Sequence, residues 1–250
     1  MIERIHTCGI PNMPWIILPA LCCFALASSA ADLSDERERL MEEVRRDIAT
    51  LPEMLDQEGL DARVDEAMSR VPRHEFVPPG ARDRAYVNRP LPIGHGQTIS
   101  QPLIVALMTD LLEVDGDSKV FELGTGSGYQ AAVLAAIVDH VYTVEIIPEL
   151  GERARATLHE TGYDNVTVKT GDGYHGWPTH APFDAIIVTA AGDHIPPPLI
   201  EQLRPGGRMV IPVGNRYATQ QLMVVTKEED GSVRTRSIMP VRFVPLTGDH

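Results

Sequence analysis

The chain has 250 residues, and its 35 acidic residues outnumber its 22 Lys and Arg, which gives a formal net charge of −13. At roughly 100–200 residues per domain, this length predicts one large domain or two small ones. Apolar residues make up 43% and charged residues 23%, a balance typical of soluble globular proteins and unlike that of disordered chains. The acidic balance argues against a nucleic-acid partner, because binding a phosphate backbone requires a basic surface.

The first 31 residues have the order of a secretory signal peptide. Arg4 lies in a short polar lead, residues 15–27 form an apolar run, and small residues follow. This order predicts cleavage near Ala30 or Ala31 and export to the periplasm, with residence in the cytoplasm as the alternative. The apolar run is shorter than the roughly 20 residues of a membrane span, so no stable span is expected in the mature chain.

The rest of the chain is predicted to be one domain, residues 32–250. All three cysteines lie in the N-terminal segment, so this domain has no thiol for a nucleophile, a metal site or a disulfide. Residues 32–102 are expected to hold N-terminal helices and a substrate loop, and residues 117–250 a cofactor-binding sheet.

The apolar patterns predict an α/β fold with a doubly wound, mostly parallel sheet. Two helices come first, and a proline-rich stretch read as irregular follows them. Short apolar runs then alternate with helices, which is typical of strands that are covered on both faces. The predicted N-terminal helices are 32–55 and 61–70, the irregular stretch is 78–102, and the later helices are 129–138, 148–161 and 197–203. The predicted strands are 119–123, 140–146, 165–169, 184–189, 208–213 and 221–226, with a final antiparallel strand at 238–245.

A glycine-rich turn follows the first of these strands and opens a helix. It consists of Glu122, Leu123, Gly124, Thr125, Gly126, Ser127 and Gly128. Such a turn lets a ligand approach the backbone closely. A dinucleotide-binding fingerprint would place its third glycine at position 129, which is Tyr129, so a nicotinamide-dependent oxidoreductase is disfavoured but stays open. A tight turn without any ligand is a further alternative. Glu122 would repel a pyrophosphate and suits a cationic ligand such as S-adenosylmethionine better.

Two further acids follow the next strands at the same predicted edge. Glu145 ends its strand 21 residues after Gly124, where a carboxylate can bind the ribose hydroxyls of a nucleoside. The following strand ends near Asp172 and Gly173, which could reach an adenine amino group. Each acid alone could be a surface or turn residue, but together they predict an S-adenosylmethionine pocket.

Six segments of the chain resemble the sequence pattern of a known family, and the run Gly96-Gln97-Thr98-Ile99-Ser100 is the most family-specific part of them. These segments are 71–78, 93–102, 124–130, 171–173, 205–208 and 241–246. Over about residues 35–248 the chain resembles class I S-adenosylmethionine-dependent methyltransferases, and more specifically the protein-L-isoaspartate O-methyltransferase family. It departs from the family pattern at residues 191–194 and in its signal-like segment.

The resemblance implies methylation of the free α-carboxylate of L-isoaspartyl residues in damaged proteins and peptides. It assigns Ser100 the active-site role of orienting that carboxylate, with Thr98 as a second substrate-binding residue. Ser100 could instead cap the helix that follows, and His95 is read as a loop residue. The donor is S-adenosylmethionine, no metal is expected, and the protein is expected to be a monomer. A class I methyltransferase with another substrate, or a binding module that has lost catalysis, are the remaining alternatives.

Overall fold

A computed structural model describes Met1 and residues 21–51, 59–215 and 218–248, with side chains from residue 33 onward. The chain divides into two compact units, Met1–Glu36 and Arg37–His250. The larger unit contains a two-stranded sheet and a seven-stranded sheet. Of the predicted signal peptide, residues 2–20 lie outside the described residues.

The chain is helical before the sheet, but the first helix differs from its predicted bounds. Helix α1 spans Leu21–Ile48 rather than 32–55. Residues 52–55 of the predicted helix lie outside the described residues, and Pro52 disfavours helical backbone at Leu51. Helix α2 spans Ala62–Arg70, close to its predicted range. Within the described part of the chain, no helix combines the length and apolarity needed to cross a membrane.

The stretch 78–102 is ordered, and its prediction as an irregular loop is wrong. It contains a 3-10 helix and an antiparallel hairpin of strands β1, Leu91–Gly94, and β2, Gln97–Ile99. The hairpin reverses at His95 and Gly96, whose φ angles are 53° and 72°. Strands of three and four residues carry too little alternation to be read from sequence. Helix α3 begins directly after the hairpin and spans Pro102–Leu111.

The large sheet confirms the predicted mostly parallel architecture. Its strands are β3 (Lys119–Leu123), β4 (His140–Glu145), β5 (Val166–Thr170), β6 (Phe183–Val188), β7 (Leu203–Val213), β8 (Gln220–Lys227) and β9 (Val233–Val241). Their order is β5-β4-β3-β6-β7-β8-β9, with parallel pairing from β5 to β7 and antiparallel pairing of β8 with both β7 and β9. The antiparallel C-terminal strand is therefore present, but it ends at Val241 rather than at residue 245. Since β9 is an edge strand, its apolar pattern is too weak to fix its ends.

Three helices pack against the sheet and leave its carboxyl edge accessible. They are α4 (Tyr129–Ala135), α5 (Pro148–Glu160) and α6 (Pro197–Gln202); α4 contacts β4, α5 contacts β4 and β5, and α6 contacts β7. A buried apolar cluster joins strands β3, β4, β6, β7 and β8 to α6. From β3, the chain adds β4 and β5 on one side and β6 and β7 on the other. Such a reversal opens a crevice at the carboxyl ends of the central strands, where ligands bind.

Candidate active site

A cleft lies at this crevice, at the carboxyl ends of the central strands, where ligands bind in folds of this kind. Its walls come from distant parts of the chain, including the hairpin, the glycine turn, the ends of β4 and β6, and the C-terminal segment. The lining includes Gln97, Thr98, Ile99, Ser100, Gly124, Thr125, Gly126, Ser127, Tyr129, Gln130, Glu145, Ile146, Gly173, Thr189, Ala190 and residues 244–247. Most of the predicted site residues thus meet in one cleft.

The glycine turn is tied to the strands on both sides of β3. The backbone amide of Gly124 donates to the Val144 carbonyl at 2.9 Å, and the Thr189 hydroxyl donates to the Gly124 carbonyl at 2.6 Å. Gly124 has a φ of 99°, and a Cβ there would collide with the Thr189 hydroxyl. Gly128 does not line the cleft; it faces Leu158 of α5. At position 124, only glycine combines the positive φ angle with the close approach of the Thr189 side chain.

Glu145 is 5% exposed and lies at the carboxyl end of β4. One carboxylate oxygen accepts from the Gly126 backbone amide at 2.8 Å, and the other accepts from the Ile147 amide at 3.0 Å. A carboxylate has about four lone-pair sites, so each oxygen can accept one more hydrogen bond. The side chain is therefore fixed in place and can still bind two hydroxyl groups from the cleft.

Glu122 is fully buried and is not among the residues that line the cleft. One of its oxygens accepts from the Thr143 hydroxyl at 2.6 Å, and that hydroxyl lies 2.7 Å from the hydroxyl of Thr125. The other oxygen has no partner among the described residues. Burial raises the pKa of Glu122 to about 8, so the carboxyl is mainly protonated at neutral pH. This geometry does not bring Glu122 to a cationic ligand; it links Glu122 to the cleft through two threonines.

Asp172 follows β5 and accepts a hydrogen bond from the Tyr174 backbone amide at 2.9 Å. It is not one of the cleft-lining residues, whereas its neighbour Gly173 is. A Cβ at position 173 would lie 2.7 Å from the Leu123 side chain, so glycine is required for this close approach. Asp172 therefore shapes the turn that carries Gly173 into the wall.

Ser100 and Thr98 also line the cleft, Thr98 from strand β2 of the hairpin and Ser100 from the connection that follows it. Ser100 does not cap helix α3, because the N-cap residue is Gln101. The backbone carbonyl of Ser100 accepts from the Arg73 guanidinium at 2.8 Å. His95 lies at the exposed hairpin reversal and does not line the cleft.

Several cleft residues escape the sequence analysis. Thr189 and Ala190 follow β6 at the same edge of the sheet as Glu145. Because ligands bind at the carboxyl ends of parallel strands, the end of the predicted strand 184–189 could have indicated both residues. Residues 244–246 belong to a segment that carries the family resemblance, but no sequence pattern places residues 244–247 at the cleft, which they reach through tertiary packing. The Ala191 amide donates to the Val244 carbonyl at 2.8 Å, which places this segment across the end of β6.

The sheet order, the glycine turn and the acid that ends β4 together define a class I S-adenosylmethionine-dependent methyltransferase. The family model of protein-L-isoaspartate(D-aspartate) O-methyltransferase (PCMT) matches residues 47–250. The chain belongs to this family.

Relatives agree over almost the full length. Protein-L-isoaspartate O-methyltransferase 2 of Syntrophobacter fumaroxidans is 61% identical over 214 residues, covering 86% of this chain and 87% of its own. Protein-L-isoaspartate O-methyltransferase 1 of Cupriavidus necator is 54% identical over 247 residues, covering 96% of this chain and 95% of its own.

Solved structures show the same likeness. A protein-L-isoaspartate O-methyltransferase has a TM-score of 0.74 at 27% identity, over 85% of this chain and 66% of its own. A β-aspartate methyltransferase from Plasmodium falciparum, in complex with S-adenosyl-L-homocysteine, has a TM-score of 0.70 at 25% identity. The match covers 84% of this chain and 98% of that one. The chain is therefore an enzyme that methylates isoaspartyl residues in protein repair, and the oxidoreductase alternative is excluded.

Proposed function

We propose that the cleft holds S-adenosylmethionine against the wall built by the glycine turn and Glu145, and the isoaspartyl α-carboxylate against Ser100. The observation that carries this proposal is that both walls face one cleft at the carboxyl edge of the sheet. The chain then acts mainly by positioning the two reactants.

The cofactor wall fits an adenosyl group in its chemistry. Glu145 keeps two acceptor positions for the ribose hydroxyls, and Gly126 and Ser127 present backbone without bulky side chains. Thr125, which lines the cleft, is held from behind by the buried pair Thr143 and Glu122. When bound, S-adenosylmethionine supplies a methyl group that its sulfonium has already activated.

The substrate wall has to orient an anion. An α-carboxyl group has a pKa of about 3.3–3.7, so at neutral pH it is ionised and needs no general base to become a nucleophile. The Ser100 hydroxyl can donate one hydrogen bond to a carboxylate oxygen, and Thr98 offers a second hydroxyl on the same wall. Holding two reactants in line can supply roughly 7–11 kcal/mol of a reaction barrier. Ser100 therefore needs only to orient the substrate carboxylate, and no proton transfer by Ser100 is required.

Methyl transfer to paired peptides tests this proposal. The full chain would be incubated with labelled S-adenosylmethionine and peptides that differ only in an L-isoaspartyl or L-aspartyl linkage. We expect base-labile label on the isoaspartyl peptide alone. Ser100→Ala should lower kcat/KM for that peptide by about 10–100-fold, the value of one hydrogen bond to a charged group, and leave cofactor binding unchanged. Equal activity of Ser100→Ala and the unaltered chain would remove Ser100 from the mechanism.

We also propose that residues 1–31 direct export of the enzyme. The order of polar, apolar and small residues supports this proposal. Helix α1, Leu21–Ile48, continues through the expected cleavage positions at Ala30 and Ala31. An exported enzyme would need a supply of S-adenosylmethionine outside the cytosol.

A further inference from the structure

Arg73 is a fully buried cation behind the substrate wall of the cleft. It opens the 3-10 helix Arg73–Phe76 and has no exposed surface. Its Nε donates to the Ala85 carbonyl at 2.9 Å, and one terminal nitrogen donates to the Ser100 carbonyl at 2.8 Å. Its guanidinium carbon lies 4.8 Å from the centre of the Tyr129 ring. Arg73 thus contacts both Ser100 and Tyr129, which line the cleft from different elements.

This arrangement is a costly way to stabilise a fold. Burial lowers the pKa of Arg73 to about 10, but the guanidinium still carries its charge at neutral pH. Among the described residues no carboxylate forms an ion pair with it and its Nη1 has no hydrogen-bond partner, so only the Tyr129 and Tyr86 side chains offset its burial. An apolar side chain of similar volume is often at least as stabilising as a buried charged group. The cost therefore points to a need for the planar, two-pronged donor.

Neighbouring contacts restrict where that donor can act. Residues 97–99 form β2, and helix α3 begins at Pro102, so Ser100 lies in a two-residue connection between them. Strand β2 is held by its pairing with β1. Within the described contacts, the Arg73 guanidinium is the donor that holds the Ser100 carbonyl in place. The direction of the Ser100 side chain depends on the backbone at this connection.

We propose that Arg73 is a positioning residue for methyl transfer, which fixes the Ser100 backbone and thereby aims the Ser100 hydroxyl at the substrate carboxylate. This inference rests on the proposed role of Ser100. It does not require Arg73 to touch the substrate or the cofactor.

The first test replaces Arg73 with lysine, which keeps the charge but cannot donate to two carbonyls in a fixed fork. In the full chain, we expect Arg73→Lys to lower kcat/KM for the isoaspartyl peptide by about tenfold, as for loss of one charge-assisted hydrogen bond. The dissociation constant for S-adenosylmethionine should change by less than about twofold. Arg208→Lys is the control, since Arg208 is partly buried and pairs with Glu113 outside the cleft. It should retain peptide kinetics.

The second test asks whether Arg73 acts through Ser100. In a double-mutant cycle, Arg73→Lys should have little further effect on kcat/KM once Ser100→Ala is present, because residues that act as a unit are not additive. Additive losses, or parallel losses of cofactor affinity and thermal stability with Arg73→Lys, would overturn the positioning role. If the unaltered chain methylates no isoaspartyl peptide, the proposed function itself fails, and that result is separate from either outcome.

Discussion

The buried carboxyl of Glu122 is joined to the cleft by hydroxyl groups rather than by direct contact. Thr143 bonds Glu122 on one side and Thr125 on the other, at 2.6 and 2.7 Å. A neutral carboxyl in this position avoids the cost of a buried charge. The ionised form would also be repelled by the carboxylate of Glu145. We therefore infer that Glu122 supports Thr125 as a neutral group.

Glu122 should make the stability of the protein depend on pH. Its folded pKa of about 8 lies above the ordinary value of 4.5, so the stabilising contribution is complete below pH 4.5 and is lost as the pH rises through 8. Relative to the unaltered chain, Glu122→Gln should gain stability as the pH rises from 5 to 8, by roughly a few kcal/mol at most. Urea unfolding at several pH values measures this difference. The exposed Glu152→Gln variant serves as control, and a gain that does not vary with pH contradicts the assignment.

Glu145 offers a sharper test of the cofactor wall. In Glu145→Gln, the amide nitrogen replaces one oxygen and faces either the Gly126 or the Ile147 backbone amide, so one fixed contact and one ribose acceptor are lost. We expect S-adenosylmethionine to bind about 10–100-fold more weakly, as for hydrogen bonds to charged groups. Titration calorimetry gives this number, with Glu149→Gln as a nearby exposed control. Unchanged affinity would place the ribose elsewhere.

The glycine turn between β3 and α4 is fixed by its neighbours as much as by its own sequence. Gly124 is bonded to Val144 on one neighbouring strand and to Thr189 on the other. The turn is therefore held at the reversal of strand order, where both neighbouring strands end. A change there should affect the fold and the cofactor together.

Gly124→Ala should be costly for this reason. The φ of 99° is strained for any residue with a Cβ, and that Cβ would also collide with the Thr189 hydroxyl. We expect a loss of about 2–4 kcal/mol in the free energy of unfolding, together with weaker cofactor binding. Gly80→Ala is the control, because a Cβ there meets nothing within 4 Å; it should change stability by less than about 0.5 kcal/mol. Similar losses for both variants would mean that the turn is not under this constraint.

The parallel strands were predictable because burial on both faces makes them continuous apolar runs. The lengths of β3 and β4 were therefore within a residue of the prediction. The hairpin β1–β2 was not predictable, since its strands are short. It also reverses at His95, whose positive φ angle no sequence pattern indicates. Glu145 was placed by the strand-end rule, whereas the buried position of Glu122 depends on Thr143, a partner that only the folded sheet supplies.

The two ends of the described sheet region meet at the cleft. The hairpin precedes the first strand of the large sheet, and residues 244–247 follow the last one, yet both line the same cavity. The Leu246 amide donates to the Ala191 carbonyl at 2.8 Å, which ties the C-terminal segment to the connection after β6. The active site is therefore a product of the complete domain, and no single βα unit contains it.

Export should leave this domain intact. Cleavage near Ala30 or Ala31 would cut within helix α1 but keep its buried residues Leu40, Val44 and Ile48. Expression of the full chain with a C-terminal tag in a bacterial host, followed by periplasmic fractionation and intact-mass measurement, tests the proposal. We expect a periplasmic product that begins near residue 31 or 32 and has the melting temperature of the full chain. A product of full-length mass confined to the cytoplasm would instead assign the enzyme to the compartment in which S-adenosylmethionine is made.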